Sequence, residues 1–135
     1  MEKIPVSTRR REELVDITSS VEDAVRKAGI VSGLCVLYCP HTTAAITVNE
    51  GADPAVAQDM AAGLRRLIPQ DWGFAHMEGN SDAHIKASLV GPSQTLIVDG
   101  GRLVLGTWQR VFFCEFDGPR KRTFFVSIQS QDRAG

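Results

Sequence analysis

The order of the predicted secondary-structure elements constrains the fold of this chain most, and two turn signals near the C-terminus define it best. Gly100-Gly101 follows an aspartate, which is the signal of a tight β-hairpin. Asp117-Gly118-Pro119-Arg120 is a second turn signal. Four runs of strand-forming residues flank these turns: 94–99, 102–105, 110–116 and 123–129. Neighbouring strands with short turns between them favour antiparallel pairing.

The first two thirds of the chain mix strands and helices. Ser19-Ser20-Val21-Glu22 predicts a capping box that opens a helix ending at Gly29. A second helix is predicted from Asp53 as N-cap and Pro54 as its first residue, and Pro69 ends it. A short third helix is predicted from Ser81 or Asp82 to Gly91-Pro92. Strands are predicted at 4–8, 13–18, 34–39 and 45–49.

This order predicts an α+β fold with a mostly antiparallel sheet, two main helices and one short helix. The run 34–39 is apolar nearly throughout, which predicts a strand covered on both faces. The second helix has an apolar stripe of Val56, Met60, Leu64 and Leu67. A length of 135 residues fits one domain over 1–135. Gly-x-Gly-x-x-Gly and Walker motifs are absent, which disfavours a nucleotide-binding fold.

Charge and cysteine content exclude several classes of protein. The formal net charge is −1, so no overall field attracts nucleic acid or an anionic membrane. The N-terminus has no signal-peptide pattern and no apolar run is long enough to span a bilayer, so we expect a cytoplasmic protein. Cys35, Cys39 and Cys114 lie in apolar runs, which predicts buried free thiols.

The chain contains only three histidines, and each lies at the edge of an apolar element beside small polar residues. His41 precedes Thr42-Thr43, and His76 and His84 bracket the segment Met77–Ala83. If the fold brings them together, three imidazoles and a water match an open catalytic zinc site. Their spacing matches no named zinc motif, so surface or capping roles remain the alternative.

The segment between His76 and His84 also suits an anion. Gly79-Asn80-Ser81 would place backbone N–H groups and two polar side chains at the start of the third helix. An ordinary helix cap is the alternative for these residues. Asp82 could orient a histidine as a carboxylate acceptor.

The remaining candidates are carboxylates and a Trp-Gln pair. Glu50 lies at a strand end, and Glu78 lies between two of the histidines. Glu115 interrupts an apolar run, so we expect it to pair with Arg120 or Arg122. For Asp117 a turn-shaping role is favoured. Trp108 and Gln109 would either wall a ligand pocket or belong to the core and its rim.

Together these motifs resemble the YjbQ-like family over nearly the whole chain. The matching segments follow in the family's order: His41–Ala45, Asn49-Glu50, His76–His84, Gly106–Gln109 and Glu115–Arg120. The resemblance implies a β-sandwich-like core, a homotrimer, and a cluster of His41, His76 and His84 that binds a divalent metal, zinc above magnesium. It also implies a secondary thiamine-phosphate synthase activity, which joins a pyrimidine diphosphate to a thiazole phosphate and releases pyrophosphate.

Three functional hypotheses follow. The first is an enzyme for a phosphorylated small molecule, in which His41, His76 and His84 hold a metal and Glu50 or Glu78 transfers protons. Its substrate would contact Asn80, Ser81, Asp82, Trp108, Gln109 and Arg120. The second is a non-catalytic metal- or phosphate-binding protein, because the sequence shows no nucleophile–base pair. The third is a structural role for the histidines at a subunit interface.

Overall fold

The computed structural model describes residues 1–132, and its strands form two antiparallel sheets. The elements in chain order are β1 (Glu2–Ser7), β2 (Glu13–Asp16), α1 (Thr18–Ala28), β3 (Gly33–Tyr38), β4 (Ala44–Glu50), α2 (Pro54–Leu67), α3 (Ser81–Val90), β5 (Ser93–Asp99), β6 (Arg102–Leu103), β7 (Gln109–Glu115) and β8 (Lys121–Ser130). One sheet has the order β1-β8-β3-β5-β6 and the other β2-β7-β4. The predicted α+β, mostly antiparallel fold with three helices is confirmed. The predicted domain, 1–135, extends past the described residues.

The two sheets share one apolar core. The residues of β3 alternate, so Cys35 and Leu37 are fully buried while Tyr38 is 50% exposed. Facing residues of β7 and β8, among them Phe113 and Phe124, complete the core. The prediction that β3 is covered on both faces is wrong, because Leu34 and Val36 on its other face are only partly buried and Tyr38 is exposed.

The helices occupy the remaining sides. α3 packs Ala83 and Ala87 onto the outer face of the smaller sheet, against Ala45, Cys114 and Phe116. α2 begins as predicted, with the Asp53 carboxylate accepting from the N–H of Ala55. Three residues of its apolar stripe, Val56, Met60 and Leu64, are partly buried, whereas Leu67 is 67% exposed.

Helix α1 begins differently from the prediction. The predicted capping box at Ser19 and Glu22 does not form; instead the Asp16 carboxylate accepts from the N–H and hydroxyl of Thr18. The helix therefore begins at Thr18, with Ile17 as N-cap, two residues before the predicted N-cap Ser19. The C-terminal prediction is confirmed, since Gly29 ends α1 in the left-handed conformation at φ 67°.

The two turn signals have different outcomes. Gly100 and Gly101, with φ of 60° and 76°, close a β5–β6 hairpin in which Val98 pairs with Leu103. The Asp117–Arg120 turn connects the two sheets, because β7 pairs with β2 and β4 whereas β8 pairs with β1 and β3. At Gly118 a Cβ would lie 2.4 Å from the carbonyl oxygen of Arg10, so the crossing requires glycine.

Two predictions from composition are also answered by the structure. Cys35, Cys39 and Cys114 are buried free thiols, as predicted, and burial raises the pKa of Cys114 to about 12. No helix within residues 1–132 is long and apolar enough to cross a membrane.

Candidate functional site

His76 and His84 face each other at the start of α3. Their ring centroids are 5.8 Å apart and the rings meet edge to face. His84 lies in the first turn of the helix, and His76 lies in the loop that precedes it. Both line an open cavity of about 510 Å³ whose walls include Phe74, Ser81 and Ile85. The structure therefore brings two of the three histidines into one pocket.

Two further predicted residues accompany this pair. A Glu78 oxygen lies 3.6 Å from His76 Nε2, with the Glu78 side chain 73% exposed. Ser81 lines the same cavity and is the first residue of α3. The side chain of Asn80, the N-cap residue, does not cap the helix. The pocket thus lies at a helix N-terminus whose first N–H groups are not capped by Asn80, which favours an anion.

His41 lies elsewhere, at the edge of strand β8. Its Nε2 accepts a hydrogen bond of 3.0 Å from the N–H of Thr123, so the ring proton is on Nδ1. Its ring also meets Phe113 edge to face. Partial burial, followed by the charge of Arg122, lowers the pKa of His41 below its ordinary value. His41 is therefore a neutral acceptor within the fold and does not line the cavity of the other two histidines.

A buried ion pair lies beside His41. Arg122 Nε donates to Glu115 Oε1 at 2.8 Å, and the Thr8 hydroxyl donates to the same oxygen at 2.8 Å. Burial alone would raise the pKa of Glu115, but these hydrogen bonds outweigh it and hold the pKa below its ordinary value. Of the two expected partners of Glu115, the structure selects Arg122. The carboxylate is fully satisfied in this way.

Asn80 and Arg120 meet through a third residue, Asp117. The Asn80 amide donates to Asp117 Oδ2 at 2.9 Å, and an Arg120 guanidinium nitrogen donates to the same oxygen at 3.0 Å. Asp117 therefore does more than shape its turn, because its hydrogen bond with Asn80 connects the start of α3 to the turn that joins the two sheets. The Asn80 side-chain oxygen is buried and has no hydrogen-bond partner within residues 1–132.

Asp82 lies in a buried ionic cluster rather than beside a histidine. Its carboxylate accepts from Lys86 at 2.7 Å and from Arg11 at 3.0 and 3.1 Å. Glu12 also accepts from Lys86, at 2.7 Å, and joins the cluster to Arg65 of α2. Asp82 and Lys86 are both 0% exposed. Burial opposes ionisation of Asp82, yet the hydrogen bonds from Arg11 and Lys86 hold its pKa below the ordinary value.

This ionic cluster was not predicted from the sequence. Asp82 and Lys86 are spaced four residues apart, which is the spacing of an ion pair on a helix, and that signal was available. Their burial was not, because it depends on α2 and on the loop that carries Arg11 and Glu12.

The other candidates are not in the histidine pocket. Glu50 lines a separate groove of about 630 Å³ between α2 and strand β2. Trp108 is 62% exposed, and the Gln109 side chain accepts from the N–H of Gly106 at 2.8 Å and so closes a turn. The Arg120 side chain is half exposed and paired with Asp117. Glu50 pairs directly with Gln109 across β4 and β7, and the N–H of Gly51 donates to the Trp108 carbonyl at 2.9 Å. These three candidates therefore lie near one another but outside the histidine pocket.

A metal site of three ligands is not formed by the single chain. Within residues 1–132 no three histidine, cysteine, aspartate or glutamate side chains converge closely enough to hold a metal ion. His76 lies close to both His84 and Glu78, at a ring-centroid distance of 5.8 Å and an Nε2–oxygen distance of 3.6 Å. The metal therefore remains a prediction.

The amino-acid sequence matches a known protein family. A family model described as UPF0047 protein YjbQ-like matches residues 2–131. A UPF0047 protein of Methanocaldococcus jannaschii is 56% identical over 126 residues, which cover 93% of this chain and 91% of that protein. The UPF0047 protein YugU of Bacillus subtilis is 49% identical over 129 residues, covering 95% of this chain and 98% of YugU.

Solved structures show the same fold. A YjbQ/UPF0047 family protein of Clostridium acetobutylicum superposes with a TM-score of 0.94 at 47% identity, over 96% of this chain and 100% of that one. A protein of unknown function from Sulfolobus solfataricus gives a TM-score of 0.93 at 38% identity, over 96% of both chains.

Proposed function

The chain belongs to the YjbQ-like UPF0047 family, and we propose that it is a cytoplasmic enzyme that acts on a phosphorylated small molecule. The observation that carries the proposal is the pair of His76 and His84 across one open cavity at the start of α3. A helix N-terminus favours the phosphate, and the imidazoles supply proton transfer beside it.

Each residue of the pocket has a role in this proposal. The uncapped N–H groups of α3 and the Ser81 hydroxyl bind phosphate oxygens. Glu78, 3.6 Å from His76 Nε2, orients that ring. His84 then donates a proton or hydrogen bond to the leaving oxygen.

The reaction we propose is of the thiamine-phosphate synthase type. The bond between the pyrimidine methylene carbon and its diphosphate oxygen breaks, and pyrophosphate leaves with the electron pair. The thiazole nitrogen then donates its lone pair to the resulting carbocation and forms the new C–N bond. Because the cation is stabilised by resonance, catalysis requires mostly positioning and stabilisation of the pyrophosphate charge.

Turnover by matched variants tests this proposal. We expect His84→Ala to lower kcat/KM for thiamine-phosphate formation at least about a hundredfold, which is the scale of general acid–base catalysis. Leu89→Ala is the control, because Leu89 is on the same helix, 60% exposed and outside the cavity. Turnover of His84→Ala at the wild-type rate would overturn the catalytic role.

A non-catalytic phosphate-binding protein is the second candidate, and the openness of the pocket favours it. His76 and Glu78 are 44% and 73% exposed, whereas active sites commonly exclude water during chemistry. Calorimetry with pyrophosphate separates the two candidates. Binding that is lost in His84→Ala, with no turnover of any phosphate ester by the wild type, supports this second function.

We also propose that zinc binds at His76 and His84. Imidazole is a ligand that zinc prefers, and a single chain supplies two of them at this position. Elemental analysis of protein purified without a nickel column tests this, and zinc that is lost in both His76→Ala and His84→Ala supports it. Absence of zinc, before and after titration, would leave the histidines as acid–base and anion-binding groups.

We propose a homotrimer in which the outer face of the larger sheet is the contact between copies. Leu34 pairs with Ile97, and Tyr38 pairs with Phe125 on the same face. Ile97 is 58% and Tyr38 50% exposed, which is unusual for apolar side chains in adjacent strands. Light scattering should give three times 14.7 kDa. Ile97→Lys should dissociate the trimer, whereas Val31→Lys, exposed outside the sheet, should not.

A further inference from the structure

A cavity separate from the histidine pocket lies between α1 and the β5–β6 hairpin. Its volume is about 480 Å³, and it shares no lining residue with the histidine pocket. This volume is within the range of small-molecule sites. Its walls come from the C-terminal half of α1, from the turn at Gly100-Gly101 and from the segment that follows β6.

The floor of this cavity is apolar. Val25 of α1 is 2% exposed and belongs to the core, and Leu103 and Leu105 are half-buried and pack against the same core. Burial of a ligand's hydrocarbon body against these three side chains would stabilise binding through the hydrophobic effect.

The rim of the cavity is charged. Arg26 on α1 and Arg102 on the hairpin both line it, and Glu22 lies one helical turn before Arg26. Arg26 is ion-paired with Asp23. Arg102 makes no ion pair and no side-chain hydrogen bond within the part of the chain that the structure describes. A guanidinium without a partner at an apolar cavity is suited to a carboxylate, which it binds in a bidentate manner.

The charge balance restricts the ligand further. Two arginines and one glutamate line the cavity, but Arg26 is already paired with Asp23, so Arg102 is the guanidinium available to a ligand. Glu22 would repel a second negative charge on the ligand. We propose that this cavity binds a small monoanionic carboxylic acid with an apolar body, whose carboxylate is held by Arg102.

Amide chemical shifts of the full-length ¹⁵N-labelled protein test the proposal. The probes are 4-methylpentanoate, its uncharged amide, and 3-methylbutyl phosphate at a pH where the phosphate is a dianion. We expect the acid to perturb the amides of 22–26 and 100–105. The uncharged amide should bind about tenfold more weakly, which is the scale of one charge-assisted hydrogen bond.

Variants of the charged residues test the role of each one in binding. Arg102→Ala should weaken binding of the acid about tenfold or more. Arg66→Ala is the control, because Arg66 is an exposed arginine on α2 outside this cavity. Glu22→Gln should leave the acid bound and raise the affinity for the phosphate dianion, an effect that a merely structural role of Glu22 would not produce. The same spectra report whether each variant is folded.

Three results would overturn the inference. They are equal affinity for the acid and its amide, unchanged binding in Arg102→Ala, and no perturbation at the solubility limit of the acid. None of these depends on the histidine pocket, so the proposed enzyme activity stands or fails separately.

Discussion

His41 differs from His76 and His84 in whether its ring forms hydrogen bonds within the fold. His41 Nε2 is occupied by the Thr123 N–H, and its surroundings include the ion pair of Arg122 and Glu115. The rings of His76 and His84 border solvent, with an exposed Glu78 nearby. Polar groups saturated by the fold stabilise it, whereas unsaturated ones remain available for a ligand.

The largest effect on stability is expected at the buried ion pair of Arg122 and Glu115. Glu115→Ala leaves the Arg122 guanidinium buried, 4% exposed, without its carboxylate. We expect a loss of about 3–5 kcal/mol in the free energy of unfolding, measured in urea. Glu115→Gln, which keeps the volume and an acceptor, should lose less. A loss below about 1 kcal/mol for Glu115→Ala, typical of an exposed ion pair, would contradict the burial of this pair.

A smaller effect is expected at His41. His41→Ala removes the acceptor of the Thr123 N–H, and we expect a loss of about 1–3 kcal/mol, the scale of an unsatisfied buried group. His41→Asn offers a side-chain acceptor and should recover part of the loss. If alanine and asparagine variants unfold at the same urea concentration as the wild type, the hydrogen bond contributes nothing.

The same histidine predicts a dependence of stability on pH. The folded-state pKa of His41 is lowered, so the unfolded chain binds more protons as the pH falls below about 6.5. Stability should therefore decrease from that pH down to the folded-state pKa. Urea midpoints between pH 7 and pH 5 measure this decrease, which should become smaller in His41→Asn. Glu115, whose pKa is also lowered, should act only at more acidic pH, where its carboxylate protonates.

The smallest effect on stability is expected at the open pair. His76→Ala and His84→Ala should each change the free energy of unfolding by no more than about 0.5 kcal/mol, as exposed sites usually do. The same variants should lose pyrophosphate binding in calorimetry. A variant that loses several times that stability would show that the pair supports the fold, and the contrast with His41 would disappear.

Local rules predicted the parts of the fold that depend on local interactions. The hairpin at Gly100-Gly101, the start of α2 at Asp53 and the end of α1 at Gly29 all formed as expected. The capping box did not, because Asp16 competes for the start of α1. Strand β3 was expected to be covered on both faces because its residues are apolar. Composition alone does not show that one of its faces stays partly exposed.

The candidate site divides in the same way. The proximity of His76 and His84 follows from a short loop and the first turn of one helix, so the sequence already implied it. The positions of His41 and Glu50 depend on which strands pair. His41 accepts from Thr123 of β8 in the larger sheet, whereas Glu50 of β4 pairs with Gln109 of β7 in the smaller sheet. Asp82 was assigned to the site, but the structure places it with Lys86 of the same helix and with Arg11 and Glu12 of the distant loop between β1 and β2.

The sequence by itself determined the fold class, the element order and the presence of a histidine pair at a helix start. These depend on periodicity, turns and caps, which act over a few residues. The tertiary structure decided which polar groups are saturated. In the folded chain the Thr123 N–H donates to His41, and Lys86 is buried between the carboxylates of Glu12 and Asp82. Arg102, by contrast, lines an apolar cavity without a partner among the described residues. Saturation depends on contacts between distant segments, and no local pattern specifies those contacts.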